Sequence, residues 1–154
     1  VMDFALEFHV GKHGVAYNGI SVFATSSTGA YTGNYVSDEP CLKRRIPEAL
    51  QGHLSDVCKN LQRHLQNVYS QGYSGPLGVD MMVVEHKGEK YIHPCVEVNL
   101  RQTMGNVCVS LRSQLRRGAA IYRLRPVGET TESTLVLTPC AKRIEAVLQT
   151  EEAE

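Results

Sequence analysis

Residues 78–105 read GVDMMVVEHKGEKYIHPCVEVNLRQTMG, two apolar runs joined by a polar turn, with Asp80, Glu97 and Asn99 where buried strands usually carry apolar side chains. Each run has the period-two, β-branched character of a strand, and the KGEK between them suits a tight hairpin. A Gly-X turn at Gly88–Glu89 pairs Lys87 with Lys90. Counting outward from it sets Asp80 opposite Glu97, Met82 opposite Cys95 and Gly78 opposite Asn99. Period two then puts Asn99 and Arg101 on the face that carries both acids. Gly78 leaves the space above Asn99 open, and Met82 gives an apolar floor beside the acids on which a bound cofactor can rest.

Directly opposed side chains have Cβ atoms about 5 Å apart, where two bare charges repel by about 3 kcal/mol at an effective dielectric of about 20. Arg101 can offset one acid only. Two carboxylates and an amide oxygen form an oxygen-only donor set of the kind that hard Mg²⁺ prefers, with Mn²⁺ a possible substitute. Mg²⁺ held by so few protein oxygens completes its shell with water and nucleotide phosphates, so the pattern points to ATP more than to a structural ion. The same residues are equally satisfied by a frayed strand end at Asp80 and an ordinary Glu97–Arg101 ion pair along the second strand. Residue types alone leave both readings open.

The rest of the chain sets the context. Its 154 residues, 42% hydrophobic and 21% charged, suffice for one packed domain. Sixteen basic residues balance sixteen acidic ones, which removes the broad attraction to phosphate backbones or anionic lipid, so neither nucleic acid nor membrane is an expected partner. No apolar run approaches a membrane span and no secretory leader opens the sequence, so a cytoplasmic location is expected. Five widely spaced cysteines without a CxxC pair are expected to be reduced and mostly buried.

Phe4, Leu6 and Phe8 alternate as in a strand with one buried face; GKHG (11–14) makes a turn, and residues 15–25 form a second strand. SSTGAYTGNY (26–35) reads as a loop or a glycine-interrupted hairpin, with Tyr31 and Asn34 as minor site candidates, and the chain stays irregular through Pro47. Apolar residues from Leu50 to Tyr69 mark one long helix ending near Gly72, with His53 and His64 facing solvent. Val107, Leu111 and Leu115 mark another, ending near Gly118. Beyond Pro126 the sequence predicts a polar loop (GETTEST), a short strand (STLVLTP), a last short helix (AKRIEAVLQ) and an acidic tail. This order predicts an α+β fold, a mainly antiparallel sheet with helices packed on one face. Arginines 112, 116, 117, 123 and 125 form a local basic patch, best explained as a solvated face, and His93, four residues before Glu97, is read as a hydrogen-bonded sheet histidine in preference to a base.

The segment Gly78–Gly105 resembles the metal-binding end of the ATP-grasp superfamily, which includes D-alanine ligases, biotin carboxylases and carbamoyl phosphate synthetases. Its members carry an acid on one strand, a short hairpin and an E-x-N on the next. Here the acid is Asp80 in GVDMMV, and the E-x-N is Glu97–Val98–Asn99 in CVEVNLR. The resemblance implies that Asp80, Glu97 and Asn99 ligate the Mg²⁺ ions bridging the phosphates of ATP. It also implies that Arg101 faces the transferring phosphate as the catalytic cation. D-alanine ligases carry an arginine two residues before the acid, where this chain has Gly78. The family's adenine hinge, phosphate-binding lysines and glycine-rich lid belong to a lobe that normally precedes this one.

The resemblance therefore implies a C-terminal ATP-grasp lobe at residues 1–126, extended by residues 127–154, within a longer protein that supplies an N-terminal lobe. The implied activity uses Mg-ATP to activate a small-molecule carboxylate as an acyl phosphate for ligation to an amine or related nucleophile. Alternatives are a noncatalytic nucleotide-binding or interaction domain that keeps the fold, and, more remotely, a nucleic-acid module built on the arginine patch. The last is disfavoured by an aromatic content of 6% with no aromatic ladder among those arginines.

Overall fold

The computed structural model describes residues 2–69, 72–114, 119–126, 134–137 and 144–150. Strands β1 (Met2–Gly11), β2 (Gly14–Thr25), β3 (Tyr31–Val36), β4 (Gly75–His86), β5 (Glu89–Asn99), β6 (Ala120–Pro126), β7 (Thr134–Leu137) and β8 (Ile144–Thr150) join one sheet in the order β5-β4-β1-β2-β3-β6-β8-β7. Every pairing is antiparallel. Helices α1 (Glu39–Arg44), α2 (Glu48–Gln51) and α3 (Leu54–Tyr69) follow β3, and α4 (Met104–Leu111) follows β5.

β1 lies inside the sheet between β4 and β2, and its two faces have different fates. Phe4, Leu6, Phe8 and Val10 join Val79, Met81 and Val83 of β4 and Leu42, Leu50, Leu54 and Leu65 of the first three helices in the main core. The other face is crossed by α4, which seals a smaller core with Val36, Cys108, Ala120 and Tyr122. The α+β class and the antiparallel sheet hold. α4 adds a layer on the second face that helices on a single face would not give.

Several local expectations are corrected. Residues 39–44 form a helix rather than irregular chain: Asp38 caps it, its Oδ1 accepting from the Cys41 N–H at 2.7 Å, and Pro40 sits in its first turn. The long helix from Pro47 is two helices, parted at Gly52–His53, since glycine gives up more backbone freedom in a helix than other residues. α4 stops at Leu111 and continues as a 3-10 turn over Arg112–Gln114; Leu115 and Gly118 fall outside the described residues. Residues 120–126, unassigned from sequence, form β6.

The predicted last helix, AKRIEAVLQ, is contradicted. Residues 144–150 form β8, paired to β6 on one side and β7 on the other, and two flanking ladders outweigh the helical preference of Ala, Glu, Leu and Gln. Residues 141–143, the polar stretch 127–133 and the acidic tail lie outside the described residues. Of the four described cysteines, all free, Cys108 is buried while Cys95 is exposed on β5, contrary to the expectation for that position.

A candidate cation and phosphate site on the polar face of the sheet

The β4–β5 hairpin brings Asp80 opposite Glu97 by a route other than the predicted turn. The turn residues are Lys87 and Gly88, both with positive φ (53° and 81°), the signature of a type I′ turn, and His86 pairs with Glu89. That register, two residues off the predicted one, runs to Met82↔His93. One residue of β4 (Met81) then faces three of β5 (Pro94, Cys95, Val96), after which Asp80 pairs with Glu97 and Gly78 with Asn99. Pro94 has no N–H to give to a ladder, and β5 is an edge strand, the setting where prolines and bulges are tolerated. The expected Met82–Cys95 pair is thus replaced by Met82–His93.

Asp80, Glu97, Asn99 and Arg101 line one cleft of about 400 Å³ together with Glu7, Ser21, Thr25, Tyr31, Asn34 and Thr103. Met82 and His93 are not among its lining residues; Ala5, Phe23 and Met104 give its apolar lining. Asn99 is buried and bridges the group: its Nδ2 donates to Asp80 Oδ2 at 3.1 Å, and its Oδ1 accepts from Arg101 Nη2 at 2.8 Å. Arg101 reaches this position because its N–H donates to the Asn99 carbonyl at 2.9 Å, closing a tight turn after β5.

Burial raises the Asp80 carboxyl above its ordinary range, and the Glu97 carboxylate opposite raises it further; the Asn99 amide and the Arg101 charge oppose this. On the far wall, the Tyr31 hydroxyl donates to Asn34 Oδ1 at 2.6 Å, and burial raises its pKa.

The residue that sequence reasoning missed is Glu7. It is 1% exposed, and its carboxylate accepts from Ser21 Oγ, Thr103 Oγ1 and Asn106 Nδ2, each at 2.8 Å. Burial pushes its pKa up to about 7, against the pull of the Thr103 and Ser21 bonds. The space above Gly78, expected to be open, is filled by this group: a Cβ on Gly78 would stand 2.7 Å from Glu7 Oε2 and 2.8 Å from Thr103 Cγ2. Strand alternation sets Glu7 opposite Phe4, Leu6 and Phe8, but its burial follows only from the β1–β4 pairing and α4 overhead.

Of the basic patch, Arg112 is tied into the fold, donating to the Asn18 carbonyl at 3.1 Å and approaching Glu39 at 3.7 Å. Arg123 is exposed, while Arg116, Arg117 and the side chain of Arg125 lie outside what is described.

Among the described residues no cluster of three or more His, Cys, Asp and Glu side chains gathers as a metal site. In type the donors, two carboxylates and one amide oxygen, suit a hard divalent cation, whose charge would relieve the repulsion felt by Asp80; in this structure the Asn99 oxygen faces Arg101 and its Nδ2 faces Asp80.

Solved structures that match over nearly the whole chain include two of direct interest. A crystal structure of an Archaeoglobus fulgidus protein, described as a proposed member of the ATP-grasp superfamily, superposes with a TM-score of 0.58 at 15% identity, over 98% of this chain and 46% of that one. The biotin carboxylase domain of 2-oxoglutarate carboxylase from Hydrogenobacter thermophilus, crystallised as a dimer with MgADP, ADP and bicarbonate, matches with a TM-score of 0.47 at 10% identity, over 97% of this chain and 41% of that one. No protein-family model and no curated protein matches the sequence. The chain has an ATP-grasp-like fold and spans less than half the length of either matched structure. No helix among the described residues is long and apolar enough to cross a membrane.

Proposed function

We propose that the cleft binds the phosphates of Mg-ATP. In this reading the chain is the C-terminal lobe of an ATP-grasp enzyme that ligates a small-molecule carboxylate to an amine or related nucleophile. The observation that carries it is the pairing of Asp80 with Glu97 across the hairpin, with Asn99 and Arg101 beside them on one cleft. Asp80, Glu97 and Asn99 are the residues that would hold the cation, with Mn²⁺ able to replace Mg²⁺. When bound, the cation neutralises phosphate charge.

The chain's own residues do the rest. Arg101, presented by its turn, offers planar N–H donors to the phosphoryl oxygens, where charge develops during transfer. The substrate carboxylate oxygen attacks the γ-phosphorus, the bond to the β-bridging oxygen breaks and ADP leaves, giving an acyl phosphate; the amine then attacks the acyl carbon and inorganic phosphate departs. Positioning supplies much of the rate, and the opposite wall of the nucleotide site would come from an N-terminal lobe of the same protein.

ADP formation in the intact protein, with MgATP and candidate carboxylates and amines, tests the reading. Asp80→Asn and Glu97→Gln are each expected to lower turnover by at least about 100-fold, each removing a charged cation ligand, without loss of the folded state. Wild-type turnover in both variants would refute the assignment.

A further inference from the structure

A buried carboxylate on the cleft face has no part in that scheme. Glu7 is a carboxylate buried to 1% exposure whose partners are all neutral: Ser21 from β2, and Thr103 and Asn106 at the start of α4. No ion pair involves it among the described residues. An unpaired buried charge is costly, and an apolar residue here would avoid the cost.

The surroundings are shaped to admit it. A Cβ on Gly105 would lie 1.9 Å from Glu7 Oε1 and 2.3 Å from Ser21 Oγ, so side chains are excluded at Gly105 as well as at Gly78. Neither glycine has a positive φ, so it is space that requires them. Thr103 is the N-cap of α4, its Oγ1 accepting from the Asn106 N–H at 2.9 Å, and it lies two residues after Arg101. Asn106 also donates to the Leu77 carbonyl of β4 at 3.3 Å.

We propose that Glu7 is a positioning residue for the cation site: its carboxylate pins the start of α4 to β1 and β2, and so fixes the turn that carries Arg101, whose Nη2 in turn orients the Asn99 side chain beside Asp80. This rests on the reading of the cleft given above. Asp80, Glu97 and Asn99 stand on the hairpin itself, whereas Arg101, which holds the Asn99 amide oxygen, lies beyond the last residue of β5. Between Asn99 and the cap at Thr103 the chain has no ladder to hold it, and Glu7 supplies the anchor at the far end.

Mn²⁺ affinity, followed by electron paramagnetic resonance with ADP present in the intact protein, tests this. The Nε–H resonance of Arg101 in ¹⁵N-arginine-labelled protein reports the turn. Glu7→Gln keeps the volume but replaces one acceptor oxygen by a donor. It is expected to weaken Mn²⁺ about 10-fold, the scale of outer-layer supports of metal ligands, and to shift or broaden the Arg101 resonance while the melting temperature does not fall below that of the wild type. Ser21→Ala removes a single donor and is expected to weaken Mn²⁺ about threefold.

Wild-type Mn²⁺ affinity and an unmoved Arg101 resonance in Glu7→Gln, with binding abolished in Asp80→Asn, would overturn the role of Glu7 and leave the cation site standing. Absence of Mn²⁺ binding in the wild type itself would remove the cation site, and the role of Glu7 with it. If Glu7→Gln fails to fold, Ser21→Ala decides by the same two readouts.

Discussion

The two faces of β1 solve the burial problem in opposite ways. Phe4, Leu6, Phe8 and Val10 point into a conventional apolar core under α1 to α3. Ala5 and Glu7, their alternates, are buried as deeply, but under α4 and within a polar network in which every described buried side-chain N and O atom has a partner. The first face stabilises through area removed from water, and the second spends stability to hold polar groups in fixed places. Substitutions should therefore separate the faces by the kind of damage they do.

The largest stability effect is expected on the apolar face. Phe8→Ala, at a position with 0% exposure, should lower unfolding free energy by about 4 kcal/mol in urea titration while leaving Mn²⁺ affinity near the wild-type value below the transition. A comparable loss of affinity would mean that the faces are not separable.

A pH effect should come from the polar face alone. With its pKa raised from 4.5 to about 7, Glu7 keeps its proton in the folded protein over a range where the unfolded chain has lost it. Its contribution is thus fully present below about pH 4.5 and falls as pH climbs toward 7, by about 3 kcal/mol across that window. Denaturation of wild type and Glu7→Gln at pH 5 and pH 8 checks this: the stability difference between them should move in favour of the glutamine variant as pH rises. A difference independent of pH would show that Glu7 is not buried as described.

Gly105→Ala is expected to cost about 2 kcal/mol, because the added methyl forces the Glu7 and Ser21 side chains or the start of α4 out of place. That displacement should also weaken Mn²⁺ and reduce turnover, a combination opposite to that of Phe8→Ala. Unchanged affinity with the full stability loss would place Gly105 in the packing of α4 only.

What was legible in the sequence follows the same division. Period-two patterning showed β1, β2, β4 and β5, and the polar intrusions at Asp80, Glu97 and Asn99 drew attention to the hairpin, because a residue type that conflicts with its local pattern is visible within a few positions. The Asp80–Glu97 pairing was reached from a turn placed one residue too far along, an error that the extra residues of β5 cancel. Glu7 was not legible, since a glutamate on the alternate face of a strand looks solvent-facing until its neighbours are known. β8 was misread because its own residues favour a helix and its ladder with β6 skips over β7, and α1 because a capped six-residue helix gives too few turns for periodicity to register.

The widened segment Pro94–Val96 has a practical consequence for anyone who wishes to alter this molecule. By letting β5 slip against β4 between the tip and the acids, it uncouples the length of the outer hairpin from the alignment of Asp80 with Glu97. Residues 85–91, all exposed, can thus serve as an exchangeable handle, open to epitope grafts or a fluorophore, while the inner rungs Gly78–Asn99 and Asp80–Glu97 keep their places.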